Sequence, residues 1–184
     1  MAKRVTWKHN GVVSLKLRDD VYTLGQMLGR ATMRFFNVWK SDGNWNNLDL
    51  TKADPLFTLY IGNVVLHNLV DKKLSEREVS PDVNSCTPYW IKPHLNFEGG
   101  YPFKGGDLID VGTEGNIGTT QARILKENLS IDVDQDIIEK YELTNMWGDE
   151  DLRERLLYVF ETGRDRDYLK EKVFPGYNSD RESA

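Results

Sequence analysis

Between Gly11 and Trp39 the chain sets out apolar and polar side chains in three successive runs. Val13, Leu15 and Leu17 alternate with Ser14, Lys16 and Arg18, a period of two that predicts a strand with one buried and one wet face. Arg18-Asp19-Asp20 breaks the run, and Tyr22, Leu24, Gln26 and Leu28 open a second one, so the two should pair as a hairpin. Gly25, inside the second run, marks a bend or a close backbone approach. After a connector from Gly29 to Thr32, Phe35, Phe36, Val38 and Trp39 predict a third strand, with its three aromatic rings substantially buried. Three adjacent strands with short links read as a curled antiparallel meander or the start of a small barrel.

The pattern then loosens. Ser41 to Asp54 is a polar connector with turn chemistry at Asp42-Gly43, and Trp45 is expected to tuck back onto the sheet. Leu56 to Ile61 is apolar and bounded by Pro and Gly, which predicts a fourth strand buried on both faces. Residues 64–79 fit either a helix, through Leu66, Leu69, Val70 and Leu74, or a strand entered at Val64 and Val65. Thr87 to Leu95 holds at most a short edge strand, because Pro88 and Pro93 cannot donate to a central ladder. Leu108 to Val111 is a further short strand, and Thr119 to Leu129 reads as a strand or a short helix.

The period changes to that of a helix near the end. Asp149, Glu150 and Asp151 suit a helix N-terminus, Leu152, Leu156, Leu157 and Phe160 form a stripe, and Gly163 is a natural stop. A weaker helix is expected from Asp136 to Met146 and a last turn from Asp167 to Val173. The pattern therefore predicts one α+β domain over residues 1–176, a β-rich N-terminal meander or small barrel followed by C-terminal helices, with 177–184 a disordered tail.

Composition supports a folded chain: 39% of its 184 residues are hydrophobic and 29% charged, with ample aromatics. No apolar run reaches the length of a membrane span, and MAKRVTWKHN precedes no apolar core of the kind that export signals carry. The lone Cys86 excludes an internal disulfide and fits a reducing compartment, so a cytoplasmic location is expected. The net charge of −5 conceals an asymmetry. Residues 1–40 carry eight Lys or Arg against two Asp, whereas residues 105–155 carry thirteen Asp or Glu against five Lys or Arg, a net of −8. Such halves either pair and are solvated within the fold, or the acidic one presents a field to a basic partner.

Candidate chemistry is sparse. Asp132-Val133-Asp134-Gln135-Asp136 opens like a calcium loop, but Ile137 stands where that loop needs Gly and Leu143 where it needs a bidentate Glu. His9, His67 and His94 lack zinc spacing, and Cys86, in NSCTPYW, has no nucleophile signature beside it even if His67 or His94 lies near. Gly112, Gly115 and Gly118 match neither the dinucleotide nor the P-loop spacing and read as a flexible hairpin or surface loop. No catalytic residue, metal or cofactor is expected.

The opening stretch carries a resemblance. Lys3, Arg4 and Trp7 in a basic, aromatic lead-in, Gly11 before a β-run, the Tyr22-x-x-Gly25-Gln26 segment and the Phe35-Phe36 pair resemble the start of the immunity protein 26 family of bacterial polymorphic toxin and contact-dependent inhibition systems. Asn10 departs from it, since relatives often have Asp beside the Gly, and residues 44–121 do not contribute. The resemblance implies a non-enzymatic, β-rich domain that binds a cognate toxin one-to-one. A nuclease toxin has a basic face, so the acidic segment supplies the expected contacts: Asp132, Asp134, Asp136, Glu139 and Glu142 first, then Asp149, Glu150 and Glu154. Two alternatives stand beside it. One is a non-catalytic binding module or scaffold, the other a nucleic-acid-binding small barrel using Lys3, Arg4, Lys8, Lys16, Arg18, Arg30 and Arg34.

Overall fold

The computed structural model describes residues 5–182. The first three strands are β1 (Val12–Arg18), β2 (Val21–Met27) and β3 (Thr32–Lys40), paired antiparallel in sequence order. Arg30 and Ala31 both adopt positive φ, 49° and 61°, so the β2–β3 link is a tight turn of the primed kind that matches strand twist. Gly25 is a close approach: a Cβ there would lie 2.4 Å from the Met33 sulfur and 2.9 Å from a Leu15 methyl.

The polar connector contributes β4 (Leu48–Asp49) before β5 (Pro55–Ile61), which pairs with β3. β5 is less enclosed than its apolar sequence predicts. Phe57, Leu59 and Ile61 face the core, but the positions between them stay partly exposed because the second face is only half covered. The ambiguous stretch holds a helix, a strand and a short strand in turn: α1 (Asn63–Asn68), β6 (Val70–Lys73) beside β1, and β7 (Val79–Ser80) beside β4.

A second sheet follows, from β8 (Tyr89–Leu95), β9 (Phe103–Asp110) and β10 (Arg123–Lys126), in the order β10-β9-β8. β8 lies at its edge, which suits Pro93 within it and Pro88 just before it. Ile91 is bridged there by a segment through Leu143, with the Ile91 N–H donating to the Glu142 carbonyl at 2.9 Å.

The C-terminal third supplies α2 (Ile131–Lys140), β11 (Met146–Trp147), α3 (Asp149–Thr162), β12 (Arg164–Asp165), α4 (Tyr168–Val173) and β13 (Arg181–Glu182). α2 begins five residues before the expected helix, because Ser130 caps it and its Oγ accepts from the Asp132 N–H. α3 matches its prediction, with Gly163 left-handed at the C-cap, although the N-cap is Gly148 and no side chain caps it. β11 adds in parallel to β5, completing a six-stranded sheet in the order β11-β5-β3-β2-β1-β6.

The fold is thus α+β, a curled N-terminal antiparallel sheet with C-terminal helices. One face of the large sheet carries Leu15, Met33, Phe35 and Leu59 onto Leu152, Leu156, Val159 and Val173 of the helices, forming the main core. The other face carries Leu24 and Phe36 onto Trp45, Leu50 and Val79, and Trp45 donates its indole N–H to Ser14 Oγ at 3.0 Å. Two expectations differ. Trp39 is 51% exposed, because β5 begins at Pro55 opposite Phe36 and the last residues of β3, beyond the Asn37 N–H bond to the Asp54 carbonyl, run past it. From residue 177 the chain is seated where a disordered tail is expected: Tyr177 and Ser179 are buried, Asp180 pairs with Arg164, and β13 pairs with β12. Residues 183–184 lie outside the described part.

Candidate functional site

The eight acidic residues singled out by charge do not share one environment. α2 exposes Asp132 and Asp136, four apart, and neither has an ion-pair partner among the described residues. Glu139 is half-buried and accepts from Gln135 Nε2 at 2.8 Å. Asp134 faces inward instead. It sits at a kink in the helix (φ −127°, ψ 20°), accepts from Lys126 and from the Ser130 N–H, and the Lys126 ammonium followed by that N–H holds its carboxyl below the usual range. At the start of α3, Asp149 accepts from Asn68 Nδ2 at 2.7 Å, while Glu150 and Glu154 are exposed.

Glu142 belongs to a buried ionic cluster that charge counting does not reveal. Arg155 of α3 has no exposed side-chain surface. Its guanidinium donates to Asp165 at 2.7 and 2.6 Å, to both Glu142 oxygens at 3.2 and 3.1 Å, and to Asp167 at 3.3 Å. Phe57 lies under its Cζ, 4.0 Å from the ring centroid, and Trp147 at 5.0 Å. Lys170 Nζ is 4.0 Å from Glu142, so two cations meet three carboxylates. Burial pushes Asp167 up to about 6, helped by the Glu142 charge, since one carboxylate is in excess. Burial pushes Glu142 the same way, but the Arg155 and Lys170 charges outweigh it and hold its carboxyl at about 2. The cluster ties β11, α3, β12 and α4 to β5. Shut off from solvent at its centre, it serves the fold. Its signal in the sequence is Arg155 itself, which falls between Leu152, Leu156 and Val159 on the apolar stripe of α3.

A surface with different character forms where β8 and β9 join. Asn96 organises this hairpin tip: its N–H donates to the Pro102 carbonyl at 2.8 Å, and its amide to the Gly99 and Tyr101 carbonyls at 2.9 Å each. Gly99 and Gly100 take the positive φ that the turn needs. The tip leaves Phe97 89% and Leu95 63% exposed. Below it opens a groove of about 580 Å³ whose far wall is Asn128 and Leu129. Ser130 starts α2 directly after that wall, and the first turns of the helix expose Asp132, Asp136 and Val133, the last by 75%. Sequence reasoning missed Leu95 and Phe97. The adjacent Gly99-Gly100 pair marks a hairpin tip, and hence an exposed Phe, but only once the flanking strands are known.

The basic residues are dispersed. Lys16 pairs with Asp19, and Arg18 with Asp20 and Glu161. Arg30 donates to the Asn116 carbonyl, and Lys3 and Arg4 lie outside the described residues. Arg34 is buried, pairing with Asp82 and donating to the Asn84 carbonyl and to Cys86 Sγ at 3.0 and 2.6 Å. Arg34 and Thr58 are thus the neighbours of Cys86. A nucleic-acid track would need several of these cations free on one face, and this arrangement offers little of that. Among the described residues no three His, Cys, Asp or Glu side chains converge as a metal site requires, and no helix is long and apolar enough to cross a membrane.

No curated protein and no solved structure matches the chain. The family comparison lends no support to the resemblance to immunity protein 26. What it does match, over residues 2–179, is the family described as Domain of unknown function (DUF8309), and the chain belongs to that family.

Proposed function

We propose that this protein is a non-catalytic inhibitor that binds one basic partner protein, a cytoplasmic toxin of the nuclease class, and covers its substrate-binding face. The observation that carries this reading is the set of exposed side chains Phe97 and Leu95 at the hairpin tip, and Val133, Asp132 and Asp136 on the helix that starts after the Leu129 wall of the groove, the two carboxylates having no ion-pair partner among the described residues. Exposed aromatic and aliphatic side chains rimmed by charge are what a protein interface buries at its centre and edge. The sign of the rim selects a basic partner and speeds encounter with it. Glu150 and Glu154, beside the exposed Met146 and Val64, extend acidic surface on α3. Asp134 and Glu142 hold the fold and are left out of the contact set.

The test takes the product of the reading frame immediately upstream as the partner. Asp132→Lys, Asp136→Lys and Glu139→Lys together should slow association several-fold and flatten its dependence on salt, with circular dichroism and melting temperature retained. Phe97→Ala should instead speed dissociation, by roughly tenfold or more if the ring is an anchor. A triple variant that protects cells fully and associates at the original rate would remove the acidic surface from the mechanism. Failure of the upstream product to bind at all would remove the toxin reading.

A further inference from the structure

Between the Lys8–Gly11 turn and residues 73–81 lies a second groove, of about 490 Å³, a size that suits a small organic ligand. It shares no residue with the acidic and apolar surface. Its accessible apolar lining is Leu74 and Pro81, backed by the enclosed Val12, Val13, Met27 and Val79, and the Met27 sulfur accepts from the Lys8 N–H at 3.4 Å. Both walls are fixed by hydrogen bonds. On one side the Lys8–Gly11 turn is stapled to β2, with Asn10 N–H donating to the Met27 carbonyl at 2.8 Å, Met27 N–H to the Gly11 carbonyl at 2.9 Å and Gly11 N–H to the Lys8 carbonyl at 2.8 Å. Asn10 holds φ 58° there, and a Cβ on Gly11 would fall 2.8 Å from the Lys8 carbonyl oxygen. On the other side Glu78 accepts from both the N–H and the hydroxyl of Ser75, each at 2.8 Å.

That second wall also settles the local charge. Glu78 turns its carboxylate onto Ser75, so among the described residues Glu76 is the one carboxylate lining the groove. Against it stand Lys8, Lys73 and Arg77. Lys73 Nζ is positioned by the Thr6 carbonyl at 2.7 Å, and neither Lys8 nor Arg77 has an ion-pair partner among the described residues. A preformed apolar lining beside uncommitted cations, in a chain that is acidic overall, selects a ligand with an apolar body and an anionic head. We infer that this groove binds a small amphiphilic anion: an acyl chain or ring bearing one carboxylate or phosphate, with its body on Leu74 and Pro81 and its head between Lys8 and Arg77.

Three eight-carbon probes test it on the full chain: octanoate, octyl phosphate and octanol, with binding followed by calorimetry and by the methyl resonance of Leu74. Octanoate or octyl phosphate should bind saturably and shift that resonance, with octanol at least tenfold weaker. The two anions distinguish a carboxylate from a phosphate head, and preference for either supports the site. Lys8→Glu with Arg77→Glu should abolish anion binding and leave the melting temperature unchanged, since both side chains are exposed. Equal binding of octanol would show that the cations recognise nothing, and an unshifted Leu74 methyl, or anion binding that survives the double variant, would place any ligand elsewhere. Each of those results overturns the inference.

Discussion

Arg155 sits where a leucine would be expected, three residues after Leu152 on the buried stripe of α3, and the cluster it gathers makes stability depend on pH in two opposed ways. Glu142 is held at about 2 in the fold against an ordinary 4.5. The folded state therefore binds this proton less tightly than the unfolded chain, and the resulting stabilisation is complete above pH 4.5 and lost as pH falls toward 2. It amounts to roughly 3 kcal/mol, at 1.36 kcal/mol per tenfold difference in proton affinity. Asp167 runs the other way: raised from 3.8 to about 6, it favours the fold fully below pH 3.8, and that benefit disappears as pH rises through 6. Urea midpoints taken from pH 7 to pH 2.5 should accordingly show a gain on passing from 6 to 4 followed by a steep loss. Asp167→Asn should remove the gain and Glu142→Gln the larger share of the loss. An acid limb untouched by Glu142→Gln would show that other carboxylates govern it.

Strands and helices with a strong local period were legible, and those made by distant pairing were not. Alternation located β1, the Phe35-Phe36 pair marked the middle of β3, and Gly163 marked the end of α3. By contrast β11 is two residues long and exists because Met146 and Trp147 pair with Tyr60 and Ile61, a contact no local pattern encodes. The turn at Arg30-Ala31 lacks the Asn-Gly signature of its type, and the strand it returns runs past the end of β5, which is why Trp39 emerges. Gly25 shows the opposite case, a residue whose reason was readable. Adding a methyl there forces it onto Met33 and Leu15 in a core with no slack, so Gly25→Ala should destabilise by about 1–3 kcal/mol. Met33→Ala in the same chain should recover part of that loss, seen as a coupling energy in a double-mutant cycle of chemical denaturation. Strict additivity would mean that the strand moves instead of the thioether.

Across the whole molecule the main core runs without a break from Val13 of the first strand to Tyr177. The second sheet joins it through Ile91 and Leu108, and again through Tyr60 against Trp90, whose ring centroids are 4.7 Å apart. Heat should therefore unfold both sheets together, with calorimetric and van't Hoff enthalpies in agreement; two resolved transitions would mark the β8–β10 sheet as a separate unit. The acidic half was legible as a number and misleading as a map, because folding turned Asp134 and Glu142 inward and left Asp132 and Asp136 out. Asp134 is turned in at the kink in α2, where Ser130 and Lys126 hold it, and Glu142 by Arg155, thirteen residues on; neither pairing shows as a period in the sequence. The loop that closes over the second face is pinned in a similarly long-range manner: Gln26 exchanges two 2.8 Å hydrogen bonds with the Asp82 backbone, and Arg34 gathers Asp82, Asn84 and Cys86. Because Cys86 is the chain's one thiol, a chromogenic disulfide reagent has a single target, and it must compete with the Arg34 guanidinium for the sulfur. The colour that develops is a clock for that contact: its rate reports how readily the half-buried sulfur is freed from Arg34, in the unmodified protein and with no probe to install.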